Sequence, residues 1–390
     1  MAYQKLSADY LFTGYQVLKG DYVLITGKEG KIIDIVTAGQ AGDDVRKLEG
    51  MLCPGFVNAH CHLELSHMKG IISKGLGMPG FIQSIITNRF QPREKVLRSI
   101  MEAEQEMMSN GIVAVGDISN TTDTIGCKSG GRLFYRNFIE TFGTDVSGAG
   151  QKFRVAEEVL KSFEEAGAGP SSIVPHAPYS LSDVLFEMIS RKSAGKIISY
   201  HNQESAEENE LLEKGTGKFK ELYDVMKMQV TNLTAKHKRS LEAVLPYIST
   251  GEKVILVHNV VTNERDLELL DIYGRKKFHF CICANANLYI TGGLPDIKML
   301  KDYSEQIVIG TDSLASNDSL SVLDELKTIN ENFVDVGLVD LLKWATVNGS
   351  RALGIEGKFG SFEKGKQPGV ILIKGIDERM SLKEAFIEVV

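Results

Sequence analysis

Cysteine is scarce in this sequence, and its spacing excludes two kinds of chemistry. The five residues, Cys53, Cys61, Cys127, Cys281 and Cys283, are odd in number and form no CxxC pair, so neither a disulfide framework nor a thiolate zinc site is indicated. Blocks of basic residues are missing too. The 44 lysines and arginines are dispersed among 51 acidic residues, for a formal net charge of -7, and no stretch could track a phosphate backbone. Nucleic acid is therefore not an expected partner. No run approaches the roughly 20 apolar residues that span a bilayer, and the first ten residues lack the charged and apolar regions of a secretory signal. These absences together predict a soluble cytoplasmic protein with no membrane attachment. Internal repeats and low-complexity tracts are also absent.

What is present is a large core-forming chain: 390 residues, 43% of them hydrophobic, enough for one large domain and a smaller appendage. Residues 1 to 52 read as short strands and turns, with Tyr22 to Thr26 and Lys31 to Val36 flanking the turn Gly27 to Gly30. From Pro54 the texture changes to short apolar runs separated by long amphipathic stretches. Eight such runs can be counted: Phe56 to Ala59, Ile112 to Gly116, Leu133 to Phe138, Ile173 to Pro175, Ile197 to Tyr200, Val254 to Val257, His279 to Ile282 and Ile307 to Gly310. Between them, Val96, Ile100, Ala103 and Met107 recur at helical spacing before Gly111. Alternating strands and helices predict an α/β protein with a (β/α)8 barrel, a TIM barrel. Strand texture returns at Val370 to Ile373. We expect residues 1–52 and 356–390 to form a small composite β domain, and residues 53–355 the barrel.

A barrel of this kind collects its chemistry at the carboxyl ends of its strands. His60 and His62 follow the first run, Asp117 the second, His176 the fourth, His201 the fifth, His258 the sixth and Asp312 the eighth. Side chains at i and i+2 of an extended chain point the same way, so both imidazoles of His60-Cys61-His62 can reach one metal ion. Two satisfied histidines at a strand end are the bland alternative for that pair. His201 and Asp312 complete a set of three nitrogens and one carboxylate, the donors of a hydrolytic metal site with an open position. Glu204, three residues beyond His201, suits general acid/base work; its alternative is a solvated glutamate in the acidic stretch 204–210. His258 could orient a nucleophile or polarise a substrate. His176, between two prolines, reads as a substrate contact or a packed loop residue. Glu64, His67 and a loop from Gly75 to Gly80 fall where specificity loops sit, or on plain surface. Cys61, Cys281 and Cys283 read as small buried residues.

These residues resemble the amidohydrolase superfamily, and within it the branch of aromatic-amine deaminases and chlorohydrolases, over nearly the whole chain. The resemblance is carried by Pro54 to His62, His176-Ala-Pro-Tyr179, His201 with Glu204, His258, Asn287, Gly310 to Asn317 and Ala345 to Gly349. It implies that His60, His62, His201 and Asp312 bind one divalent ion, Zn²⁺ in first place and Fe²⁺ in second. It implies further that Glu204 and His258 handle protons, and in the expected mechanism Asp312 assists His258 in deprotonating the water. No lysine follows the third or fourth run where binuclear members carry a bridging one, so a single ion is expected. The run Asn58 to His67 looks most like aminodeoxyfutalosine deaminases, with adenosine and S-adenosylhomocysteine deaminases close by. The expected activity is hydrolytic deamination of a small-molecule aminated purine nucleoside or related heterocycle, in a chain that could form homo-oligomers. Guanine deamination, chlorohydrolysis, cyclic amide opening and a non-catalytic metal-binding barrel are the alternatives.

Overall fold

The computed structural model describes residues 3–229, 233, 237–376 and 380–390. Its centre is built from eight strands: β1 (Phe56–Cys61), β2 (Ile112–Ser119), β3 (Phe134–Thr141), β4 (Ser171–Pro175), β5 (Ile197–Asn202), β6 (Lys253–His258), β7 (Phe278–Ile282) and β8 (Ile307–Ile309). Each falls on one of the eight apolar runs. All residues of β1 and β5 are buried, the sign of strands covered on both faces, as a parallel sheet between helices requires. The strands pair in parallel in two sets of four, β4-β3-β2-β1 and β5-β6-β7-β8.

One buried apolar cluster takes side chains from all eight strands, including Val57, Ala114, Phe138, Val174, Ile255 and Val308. At the outer edges, Thr311 and Asp312 donate backbone N–H groups to the carbonyl oxygen of His60 at 3.1 and 3.2 Å, and Cys61 forms an isolated parallel bridge with Asp312. The backbone N–H of His201 donates to the His176 carbonyl at 3.0 Å, joining the other two edges. This α/β arrangement is consistent with a TIM-barrel-type fold. Among the described residues no helix is long and apolar enough to cross a membrane.

Flanking this centre are two further sheets. In the larger, Val370–Lys374 pairs antiparallel with Met51–Pro54, bringing Ile371 opposite Cys53. Leu11, Leu52 and Leu372 of this sheet share a buried cluster with Leu6 and Leu24 of its four-stranded neighbour. The expected loop from Gly75 to Gly80 needs correction, because residues 77–80 are the first turn of a helix, Gly77–Asn88. Pro79 is tolerated there because N–H groups in a first turn have no partner within the helix.

Packing around the strands is tight. A Cβ built on Gly116 in β2 would lie 2.4 Å from the Ala59 carbonyl oxygen of β1 and 2.9 Å from Leu353. Gly116→Ala should therefore lower unfolding stability by roughly 1–3 kcal/mol through overpacking. Urea denaturation measures this, and an unchanged midpoint would contradict the close approach.

Candidate metal centre and cavity

The ends of β1, β5, β6 and β8 deliver a cluster of buried imidazoles and carboxylates. The Nε2 atom of His62 lies 3.1 Å from Nε2 of His60 and 3.1 Å from Nε2 of His201. Oδ1 of Asp312 stands 3.6 Å from His60 Nε2 and 3.4 Å from His62 Nε2. His258 joins His60, His201 and Asp312 in a set whose donor atoms all lie within 4.8 Å of one another. Donors held 2.0–2.1 Å from a tetrahedral ion stand roughly 3.3–3.4 Å apart, so the spacing suits one small cation.

The local chain accepts strain to build this cluster. His258 (φ 76) and Asp312 (φ 55) both occupy the left-handed region, costly for residues with a Cβ and often found at functional sites. Asn58 helps hold Asp312 in place: its Nδ2 donates to Thr311 Oγ1 at 2.7 Å, and its Oδ1 accepts from Thr311 N at 3.1 Å. Ser316 Oγ donates to Asp312 Oδ2, leaving Oδ1 for the histidines.

Glu204 and His258 face each other, Oε1 to Nε2, at 3.4 Å. The Nδ1–H of His258 has Asn287 Oδ1 as its acceptor at 2.8 Å; that tautomer leaves Nε2 with a lone pair directed at the site. Glu204 is buried, which removes the solvated-glutamate alternative. Glu208, also buried, accepts from the backbone N–H groups of Gln203 at 3.1 Å and Glu204 at 3.3 Å, so the acidic stretch acts partly as the support for its own first residue. The cluster opens into a cavity of about 200 Å³ lined by His62, His176, His201, Glu204, His258 and Asp312 on its polar side.

The sequence pattern of the amidohydrolase family matches residues 51–389. The chain belongs to that family. A relative named adenosine deaminase from Helicobacter pylori is 27% identical over 348 residues, covering 87% of this chain and 82% of its own. A solved structure of aminofutalosine deaminase from the same organism, in complex with methylthio-coformycin, superposes with a TM-score of 0.82 at 24% identity, over 97% of this chain and 94% of its own. An adenosine deaminase structure from Xanthomonas campestris with bound zinc gives 0.74 at 20% identity, over 99% and 91% of the two chains. At these identities the structures establish the fold. Family membership makes this protein a hydrolase acting on carbon–nitrogen bonds.

Within this amidohydrolase, not every residue singled out from the sequence reaches the cavity. His176 lines it, with Nδ1 2.8 Å from Ser180 Oγ and its ring 4.7 Å from that of His201. Glu64 and His67 do not line it. One carboxylate oxygen of Glu64 accepts from the Asn120 and Thr121 backbone and from the Thr121 hydroxyl. His67 sits between the carbonyl oxygens of Glu64, at 3.1 Å, and Arg89, at 3.0 Å. Asp117 lies outside as well, paired with the buried Lys128 at 2.5 Å. Cys61, Cys281 and Cys283 are buried packing residues.

Two charged cavity residues escaped the sequence reading. Arg89 follows the Gly77–Asn88 helix, and Glu140 sits one residue from the end of β3. Glu140 was missed because its run was ended at Phe138, although a carboxylate just past an apolar run was the available signal. Its Oε1 lies 3.3 Å from Nδ1 of His201, and Asn120 Nδ2 donates to Oε2 at 3.1 Å.

Burial dominates the electrostatics of the cluster. It pushes His60, His62, His176 and His258 down to about 4, leaving neutral imidazoles near neutral pH. The Glu204 carboxyl is pushed well above the ordinary carboxylate range by the same burial. His201 and Glu140 go the opposite way from what burial alone would do. Glu140 supplies the counter-charge that raises His201 to about 9, while His176 first, and then His201, draw Glu140 well below the usual range. Asp312 is likewise held low against its burial, by the hydrogen bond and charges of the surrounding histidines.

Glu140→Gln tests this coupling. In the metal-free protein, removing the carboxylate leaves burial as the main influence on His201, and its pKa should fall from about 9 to below the ordinary 6.5. A histidine NMR titration reads the shift directly; an unmoved His201 would show that another group holds its proton.

Proposed function

We propose that this amidohydrolase deaminates an aminated purine nucleoside or a related heterocycle with water, releasing ammonia. We assign His60, His62, His201 and Asp312 as ligands of one divalent ion, with Zn²⁺ ahead of Fe²⁺ because imidazole nitrogens and a carboxylate in tetrahedral spacing suit zinc. The reading is carried by one observation, the 3.1 Å separations of His62 Nε2 from two other imidazole nitrogens beside the Asp312 carboxylate. A bound divalent ion supplies Lewis acidity and lowers the pKa of water from about 15.7 toward 7.

The remaining roles belong to the chain. Glu204, kept protonated by burial, donates its proton to the ring nitrogen beside the amino-bearing carbon. That carbon then becomes the better electrophile. His258, neutral and oriented through Asn287, takes a proton from the attacking water together with Asp312. Water adds and a tetrahedral carbon forms; the proton held by His258 passes to the amino group, the new hydroxyl returns a proton to Glu204, and the C–N bond breaks to release ammonia. His176 contacts the substrate from the cavity wall. Glu140 orients His201 through Nδ1, as carboxylates behind metal-binding histidines commonly do. The same reading closes the two four-stranded sheets into a (β/α)8 barrel across residues 53–355, with 1–52 and 356–390 as a β unit. The edge hydrogen bonds and the Met51–Pro54 pairing support that division.

Two expected outcomes test the proposal. Chelation should abolish ammonia release, and added zinc should restore it, in an assay with adenosine, S-adenosylhomocysteine, aminodeoxyfutalosine and guanine. Glu204→Gln should lower kcat by roughly 10²–10⁴-fold, the usual worth of a general acid, with zinc content by elemental analysis unchanged. Undiminished turnover in the variant would remove Glu204 from the mechanism.

A further inference from the structure

The segment that carries Asp312 runs on to Asn317, whose side chain folds back on it. Asn317 Nδ2 donates to the Thr311 carbonyl oxygen at 2.8 Å and to Glu325 Oε1 at 2.8 Å. Glu325 stands in the first turn of the helix Val322–Asn332, and its other oxygen, Oε2, accepts from the backbone N–H of Asn285 at 3.0 Å. Asn285 lies in turn in the first turn of the helix Ala284–Ile290, where N–H groups have no partner within the helix. That same helix bears Asn287, whose Oδ1 sets the tautomer of His258. One carboxylate thus ties together the segments that support Asp312 and His258, the two members of the cluster with left-handed backbones.

Glu325 is fully buried and does not line the cavity, so a substrate bound there is out of its reach. Burial pushes its carboxyl up to about 8, and packing alone would be served better by an apolar side chain at this position. What the carboxylate provides instead is two acceptors, each matched to one donor. Losing them would leave the Asn285 amide and one Asn317 hydrogen buried without a partner, and such orphaned donors pull a chain toward other arrangements.

We propose that Glu325 is a positioning residue acting on two members of the centre at once. Through Asn317 and Thr311 it holds the Asp312 carboxylate for the metal ion, and through the helix that bears Asn287 it holds the His258 ring for proton transfer. The inference rests on the proposed reading of the site for the roles of Asp312 and His258. It also gives a task to the end of the Gly310 to Asn317 motif, since Asn317 is the joint between Glu325 and the segment of Asp312.

The two arms are separable by experiment, with zinc affinity reading one and the His258 tautomer, from ¹⁵N-histidine spectra of the metal-free protein, reading the other. Asn317→Ala cuts only the first arm: the zinc Kd should rise roughly tenfold to hundredfold, as when a partner behind a metal ligand is removed, and the tautomer should stay. Glu325→Met has no acceptor and cuts both, so zinc affinity should fall by a similar factor and the Nδ1–H form of His258 should give way to a mixture. At saturating zinc its kcat should fall roughly tenfold to hundredfold with KM within a few-fold, because Glu325 is out of reach of the substrate. Ile329→Ala, in the apolar packing of the same helix, is the control for loosened structure; it should lower the urea midpoint and move neither readout. Should Glu325→Met not fold, Glu325→Gln offers one acceptor to two donors, and one of the readouts should move. Both readouts unchanged in a folded Glu325 variant, both moved as far by Ile329→Ala, or a tautomer change in Asn317→Ala would overturn the assignment. A wild type that takes up no zinc would overturn the metal reading and the Asp312 arm with it. Ammonia release from no heterocycle, with both arms behaving as described, would overturn the deaminase reading and leave Glu325 in place.

Discussion

The site depends on a backbone contact between segments some 250 residues apart. The amides of Thr311 and Asp312 donate to the carbonyl oxygen of His60, and Asn58 grips Thr311 from the side through two further hydrogen bonds. These bonds hold the Asp312 carboxylate against the imidazoles of His60 and His62 at the end of β1, and they hold it in a left-handed backbone conformation that an aspartate would not choose alone. Buried hydrogen bonds of this kind are costly to break, because each orphaned group keeps its desolvation penalty. The strain at Asp312 and His258 is thus carried by the surrounding network.

Around that contact, burial sets the protonation of almost everything. Four histidines are kept neutral and one carboxyl is kept protonated by the same removal from water. The exceptions are His201, Glu140 and Asp312, where neighbouring charges and hydrogen bonds outweigh it. With Nδ1 of His201 3.2 Å from the His176 carbonyl oxygen and 3.3 Å from the Glu140 carboxylate, Nε2 is the nitrogen presented to the cluster. Neighbouring residues are supported in turn: Glu208 holds the turn that carries Glu204, and Asn287 selects the tautomer of His258. Catalytic geometry in such a cluster is a property of these supports as much as of the reacting groups.

The cavity divides into a polar floor and an apolar wall. Its floor belongs to the strand ends, which the fold brings together whatever the substrate. Its wall draws on two helices, Gly77–Asn88 inserted after β1 and Lys218–Met226 after β5. A division of this kind lets chemistry and specificity vary separately, since a change on either helix leaves the strand ends untouched.

Much of this was legible without coordinates. The eight apolar runs fix strand positions because strands buried on both faces must be apolar, and the histidines stand out because each follows such a run. His60 and His62 share a direction by local geometry alone. What the sequence could not decide was anything set by contacts between distant segments. The acidic stretch after His201 looks solvated in isolation, and only packing shows Glu204 and Glu208 to be buried. Glycines and a proline from Gly75 to Gly80 read as a loop, yet the chain folds there into the first turn of a helix, since a first turn tolerates proline. His67 and Glu64 look like site residues by proximity along the chain, whereas the tertiary structure gives the Glu64 carboxylate to Asn120 and Thr121 and sets His67 between two backbone carbonyl oxygens. Chain order specifies which side chains are near a strand end; it does not specify which way an insertion after that strand will fold back, because that depends on surfaces contributed by the rest of the molecule.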